Sequence, residues 1–130
     1  MTIARRLAGI ALGASPFALV LHSMATTTLS TSFSWTALGL ATLALVFALF
    51  NIWLAFGRPL YLSWRHPQRE HRHVSGIPVV GNVIAVMAVI VGSGTLGTSL
   101  LALLAILVDI GGLPWFVIFT WRDQSLWEPR

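Results

Sequence analysis

The chain has 130 residues, of which 56% are hydrophobic and only 9% are charged, and its mean hydropathy is +0.82. This length allows one domain at most, and eight arginines and four acids are too few to cover the surface of a water-soluble domain. A net charge of +4 in a soluble chain would suggest a nucleic-acid partner, but these arginines flank apolar stretches and indicate anionic lipid headgroups instead.

Four apolar stretches of about 20 residues divide the chain, at residues 7–27, 33–57, 76–96 and 98–120. A helix rises about 1.5 Å per residue, so each stretch is long enough to cross a hydrocarbon core of ~30 Å. The pattern predicts an all-α polytopic membrane protein with four transmembrane helices in a single domain.

The first stretch begins close to the N-terminus and is interrupted by Ser15 and Pro16. Together with Arg5 and Arg6 it also resembles a cleavable signal peptide. Its retention is favoured because His22 and the small residues before it fit the packing pattern described below.

The second stretch is expected to end at the Gly57-Arg58-Pro59 sequence, because proline cannot continue a regular helix. Residues 58–74 are then expected to form a basic loop, and Ser75 to cap the start of the third helix. The glycine-rich turn between the third and fourth stretches is short, so these two helices are expected to be antiparallel neighbours.

All eight arginines fall on one side when the four helices are threaded back and forth across a membrane. Because cytoplasmic loops carry the excess of basic residues, this pattern predicts that both termini and the 58–74 loop are cytoplasmic. The loop arginines are expected to contact anionic lipid headgroups. They are Arg58, Arg65, Arg69 and Arg72.

Each predicted helix carries a stripe of small residues at steps of three and four, the spacing that keeps one helix face against a neighbour. The first comprises Ala4, Ala8, Ala11, Ser15, Ala18 and His22. The second comprises Ala37, Ala41, Ala44, Ala48, Asn51 and Ala55. The third comprises Gly81, Ala85, Ala88 and Gly92, and the fourth Ala102, Ala105, Asp109 and Gly112. We expect these stripes to be the packing faces of the bundle.

Asp109 lies in the middle of the fourth stretch, where an ionisable side chain costs about 2.5–3.5 kcal/mol. Counting helix rise places it at the same depth as Asn51 and Asn82, whereas His22 lies too far outward to reach it. The three residues therefore predict a polar cluster inside the membrane. A structural clasp, in which these side chains hydrogen-bond across helices, is favoured over a partner-binding role. A proton or cation site ranks last, because no second buried acid or base continues a path.

The sequence after Asp109 predicts a kink in the same helix. Gly111 and Gly112 weaken the helix, and Pro114 removes a hydrogen bond.

The rest of the chain offers few residues that could carry out chemistry. Arginines interleave with His66, His71, His73 and Glu70 and would repel a metal dication, so no metal site is expected. No nucleotide-binding, catalytic or cofactor motif is present, which favours a non-enzymatic protein without a cofactor.

The sequences Ser75-Gly-Ile-Pro78-Val-Val-Gly81 and Asp109-Ile-Gly111-Gly-Leu-Pro114 resemble the S-x-I-P-x-x-G and D-x-G-x-x-P motifs of small proteobacterial inner-membrane proteins. The resemblance covers about a third of the chain, which has Asn82 where those proteins commonly have a second glycine. It implies a multi-pass protein of the bacterial inner membrane, and some members imply a toxin-immunity role.

The favoured function is helix–helix binding to a membrane-protein partner or a second copy, as in an immunity-type protein that blocks a membrane-directed toxin. An accessory subunit of a larger membrane complex is one alternative. A small proton- or cation-handling carrier that uses Asp109 is the other.

Overall fold

The computed structural model describes residues 2–27, 34–65 and 79–121, and these residues form four helical rods. The first rod is a single helix, α1 (Thr2–Ala25). The second consists of α2 (Trp35–Ile52), a π-helical turn (Trp53–Gly57) and α3 (Arg58–Arg65). The third is α4 (Val80–Val91), and the fourth consists of α5 (Leu96–Val108) and α6 (Leu113–Thr120). The predicted all-α fold is confirmed.

Three of the four rods are long and apolar enough to cross a membrane. They are Ile3–Ala25, Trp35–Arg65 and Leu96–Ile118. The fourth, α4, is apolar but has only 12 residues, which corresponds to about 18 Å of helix. The chain is therefore a membrane protein by the length and composition of its helices. The helix predicted over 76–96 is shorter: within the described residues it begins at Val80 and ends at Val91.

The rods run alternately up and down. At one end of the bundle, the Ser23 hydroxyl near the end of α1 lies 3.1 Å from the Ser99 hydroxyl near the start of α5. At the other end, the Arg6 guanidinium of α1 lies 5.5 Å from the ring centroid of Trp121, just after α6. The start of α1 and the end of α6 are thus neighbours, as expected for an even number of antiparallel rods.

Small residues form the interface between α2, α4 and α5, as predicted. Their stripe residues are buried, apart from the half-buried Ala55. The backbones come so close that a Cβ atom on Gly92 would lie 2.6 Å from the Ala37 Cβ, and one on Gly81 would lie 2.7 Å from Asp109 Oδ2. Such close approach lets van der Waals contact hold helices together in lipid, where the hydrophobic effect does not.

The stripe predicted for the first helix is wrong as a packing face of this bundle, because all six of its residues are exposed. The helix instead packs through Gly13, Pro16, Val20 and Ser23, which are buried. At Gly13 the missing side chain lets α6 approach, since a Cβ there would lie 2.9 Å from Val117 Cγ2.

Pro16 does not interrupt α1. In a regular helix the backbone N–H of residue 16 would donate to the Leu12 carbonyl, and proline has no N–H. The Ser15 hydroxyl donates to that carbonyl instead, at 2.8 Å. A neighbouring side chain thereby satisfies the acceptor that the proline leaves, as membrane helices require.

The predicted helix end at Gly57-Arg58-Pro59 is also wrong, since the rod continues to Arg65. In the π-helical turn the Arg58 N–H donates to the Trp53 carbonyl, five residues back. This wider turn removes the clash that the Pro59 ring would make with the carbonyl four residues back in a regular helix. It also accommodates the absence of a backbone N–H at Pro59. Residues 58–65 are therefore helix rather than loop, and residues 66–74 lie outside the described part.

Candidate functional site

The fourth rod is broken in the middle, between α5 and α6. Asp109 leaves helical geometry with φ −73° and ψ 88°, and the Gly112 N–H donates to the Asp109 carbonyl at 2.8 Å. Pro114 lies in the first turn of α6, where its missing N–H costs nothing. The predicted kink at Gly111, Gly112 and Pro114 is thus a complete break.

Asp109 is fully buried beside this break, and Asn51 of α2 and Asn82 of α4 both contact its carboxyl group. Asn51 Nδ2 donates to Asp109 Oδ1 at 2.7 Å, and Asn82 Nδ2 donates to Asp109 Oδ2 at 2.9 Å. The Gly111 N–H donates to Asp109 Oδ1 at 3.2 Å. The three residues that sequence places at one depth therefore lie in direct contact and join three rods.

Two backbone carbonyls at the break are paired with groups outside regular helix. The Gly111 carbonyl accepts a hydrogen bond from the Val79 N–H at 3.1 Å, and the Leu107 carbonyl accepts one from Trp115 Nε1 at 3.1 Å. Val79 adopts φ 70°, a left-handed conformation that is costly for a β-branched residue. Irregular backbone at membrane depth persists only where protein satisfies its polar groups, and here the start of α4 and the break do so together.

Missing side chains make room for the polar cluster. At Gly81 an added Cβ would collide with Asp109 Oδ2 at 2.7 Å, and at Gly112 it would collide with Asn82 Nδ2. At Gly111 the Asn51 Nδ2 would be 3.1 Å away. Two glycines of the break and one of α4 therefore let the carboxyl and both amides occupy the space between helix backbones.

Both carboxyl oxygens of Asp109 are committed to N–H donors, which is the arrangement of a structural clasp. Asn82 Oδ1 is buried without a hydrogen-bond partner. The Asn82 amide thus donates to the carboxyl group and retains an unused acceptor inside the bundle.

A path for ions is not evident around the cluster. Asn82 lines a cavity of about 190 Å³ whose other lining residues are apolar apart from Ser15. Within residues 2–27, 34–65 and 79–121, Asp109 is the only acid. These observations favour the clasp over a proton or cation site, as the sequence does.

The remaining predicted residues lie elsewhere. Arg58 and Arg65 are exposed, and Arg65 Nη1 donates to the Tyr61 hydroxyl at 2.7 Å. Arg69, Arg72, the loop histidines, Glu70 and the candidate cap Ser75 lie outside the described residues. His22 is exposed and does not belong to the cluster.

Sequence reasoning missed the second polar contact, between the hydroxyls of Ser23 and Ser99 at 3.1 Å. Ser23 Oγ also accepts a hydrogen bond from the Gly94 N–H at 3.4 Å. The sequence could have indicated Ser99, because this residue lies three positions before Ala102 and extends the small-residue stripe of α5. It did not indicate Ser23, because the alanine-rich stripe of α1 lies on another face of that helix.

No protein-family model, curated protein or solved structure matches the chain.

Proposed function

We propose that the chain is a non-enzymatic membrane protein that binds another membrane-embedded protein through the outward face of α1. One observation carries this proposal. The small-residue stripes of α2, α4 and α5 are used inside the bundle, whereas the equivalent stripe of α1 is entirely exposed. We call it the α1 stripe, and it comprises Ala4, Ala8, Ala11, Ser15, Ala18 and His22.

Most of the α1 stripe points away from the residues through which its helix packs. At about 100° per residue, the direction of Ala11 differs from that of Gly13 by roughly 160°, and Ala4 and His22 point directly away from Gly13. A second protein could therefore contact this stripe without displacing any rod of the bundle. A row of small side chains makes few contacts with lipid but lets a partner helix approach closely.

The chemistry of the stripe defines the partner as an apolar transmembrane helix with small residues of its own. Either a second copy of this chain or a different membrane protein satisfies that description. The resemblance of the S-x-I-P-x-x-G and D-x-G-x-x-P segments supports the bacterial inner membrane as the location and a membrane-directed toxin as one class of partner. An accessory subunit of a larger complex would use the same surface.

Purification of the tagged full-length chain in mild detergent tests the proposal. We expect a stoichiometric complex, with a second copy or with another membrane protein, that mass spectrometry and size measurement identify. Ala11→Leu with Ala18→Leu should dissociate it by preventing close approach. Ala14→Leu, an equal enlargement at an exposed position off the stripe, should not. A complex that survives the double substitution would overturn the proposal, as would a wild-type chain that is purely monomeric.

A further inference from the structure

Two apolar clefts flank the contact between α1 and α6 at the end of the bundle where α1 begins. The first has a volume of about 380 Å³ and the second about 370 Å³, both within the range of small-molecule sites. Val117 of α6 lines both clefts and separates them. The first is completed by Arg5, Ala8, Gly9, Leu12, Leu113 and Phe116, and the second by Ile10, Ile118 and Trp121.

An arginine lies beside each cleft. Arg5 lines the first cleft directly. Arg6 stacks on Trp121, which lines the second, and its guanidinium carbon lies 5.5 Å from the ring centroid. The Nε atom of Arg6 is buried without a hydrogen-bond partner. Arg5 thus borders the first cleft, Arg6 contacts a wall residue of the second, and one buried N–H donor of Arg6 has no hydrogen-bond partner.

We propose that this end of the bundle binds one phospholipid with an anionic headgroup, its phosphate at Arg5 and Arg6 and its two acyl chains in the two clefts. Guanidinium groups suit phosphate because their N–H donors match its oxygens. Tryptophan and basic side chains are the residues that anchor at the headgroup layer. The two grooves on either side of Val117 match the two chains of one lipid.

The wall residues of the clefts face the lipid phase. Leu12 is 60% exposed, Phe116 54% and Ile118 60%, so an acyl chain can enter sideways from the bilayer without any opening of the bundle. A free phosphate ion would use the arginines but leave both grooves empty. Charge and shape together therefore favour a lipid over the ion alone.

Lipid titration of the purified full-length chain tests this site. Native mass spectrometry and thermal unfolding are followed with phosphatidylglycerol, with phosphatidylcholine of the same chain length, and with inorganic phosphate. We expect a one-to-one phosphatidylglycerol adduct and a raised Tm, and little effect of the other two ligands. Equal stabilisation by phosphatidylcholine would contradict a headgroup site, and equal stabilisation by phosphate would contradict the use of the clefts.

Variants distinguish a specific lipid site from nonspecific electrostatic attraction between arginines and anionic lipid. Arg5→Gln with Arg6→Gln should weaken phosphatidylglycerol binding about tenfold or more. The control pair, Arg58→Gln with Arg65→Gln, removes the same charge from exposed positions outside the clefts and should retain binding. Leu12→Trp should fill the first cleft and weaken binding, whereas Leu21→Trp on the same exposed helix should not. Equal losses in a test variant and its control would overturn the proposal.

Discussion

Asp109 shows how one ionisable side chain is accommodated inside a membrane bundle. Its insertion costs about 2.5–3.5 kcal/mol, so it persists only with compensation. Hydrogen bonds donated by Asn51, Asn82 and Gly111 to the carboxyl group offset this cost. The carboxyl group in turn accepts the Gly111 N–H, which the helix break leaves without a helical partner. The residue is thus the link between α2, α4 and the α5–α6 break.

The first prediction follows from this role. Asp109→Asn keeps the shape and a hydrogen-bonding group, so folding should be largely retained. Asp109→Leu leaves both asparagine amides without their partner and should destabilise the protein by about 0.6–2 kcal/mol, the range for interhelical hydrogen bonds in membranes. Thermal unfolding in detergent measures both effects.

The same pair of variants separates the clasp from a proton or cation carrier. In a carrier, Asp109→Asn would abolish activity as completely as Asp109→Leu, because neither side chain ionises. Ion flux into vesicles that contain the purified protein is the measurement. Flux through the wild-type chain that Asp109→Asn abolishes, in a protein that remains folded, would refute the structural assignment.

At the scale of secondary-structure elements, three irregular backbone segments meet near one depth. They are the π-helical turn at Trp53–Gly57, the left-handed Val79 and the α5–α6 break. The last two are joined by the hydrogen bond from Val79 to Gly111. At Val79 and at the break, backbone groups outside regular helix pair with a neighbouring element, so their local geometry depends on the assembled bundle.

This dependence explains which elements could be predicted. The polar layer of Asn51, Asn82 and Asp109 follows from the rise of a helix per residue. The stripes of α2, α4 and α5 follow from its period of 3.6 residues. The continuation past Pro59 could not be predicted, because a π-helical turn accommodates the proline and local propensity does not indicate one. The packed face of α1 could not be predicted either, since two helix faces carried small residues and only one meets α6.

The second prediction concerns the close contact between α4 and the break. Gly81→Ala places a Cβ 2.7 Å from Asp109 Oδ2, so the helices must separate, and we expect a loss of about 1–3 kcal/mol. Gly39→Ala is the matched control in α2, because a Cβ there meets nothing within 4 Å. Thermal unfolding of the two variants should differ clearly. Similar melting would mean that Gly81 is not a packing constraint.

At the scale of the whole molecule, the bundle places Arg5 and Arg6 of α1 at the same end as Trp121 after α6. The second rod spans 31 residues, or about 46 Å, and thus extends beyond a hydrocarbon core of ~30 Å. Its last turns carry exposed Trp64 and Arg65, residues suited to the headgroup layer. The arrangement allows all described arginines to share one membrane face.

The third prediction is the orientation of that face. A reporter enzyme that is active only in the periplasm should be inactive when fused after Arg130 or within residues 67–72, and active when fused within residues 28–30. Strong activity from the 67–72 fusion would place the basic segment outside and exclude the arginine-inside topology.

In the native membrane, we expect the α1 stripe to contact protein rather than lipid. The chain has no cysteine, so spin labels can be attached singly at Ala11 and Ala18 on the stripe and at Ala14 and Leu21 off it. Oxygen accessibility is then measured by electron paramagnetic resonance in membranes of the source cells and in detergent for the dissociated monomer. We predict that the stripe labels are shielded only in the native membrane, while the labels at Ala14 and Leu21 stay accessible in both. Equal accessibility of all four positions in the native membrane would contradict the account.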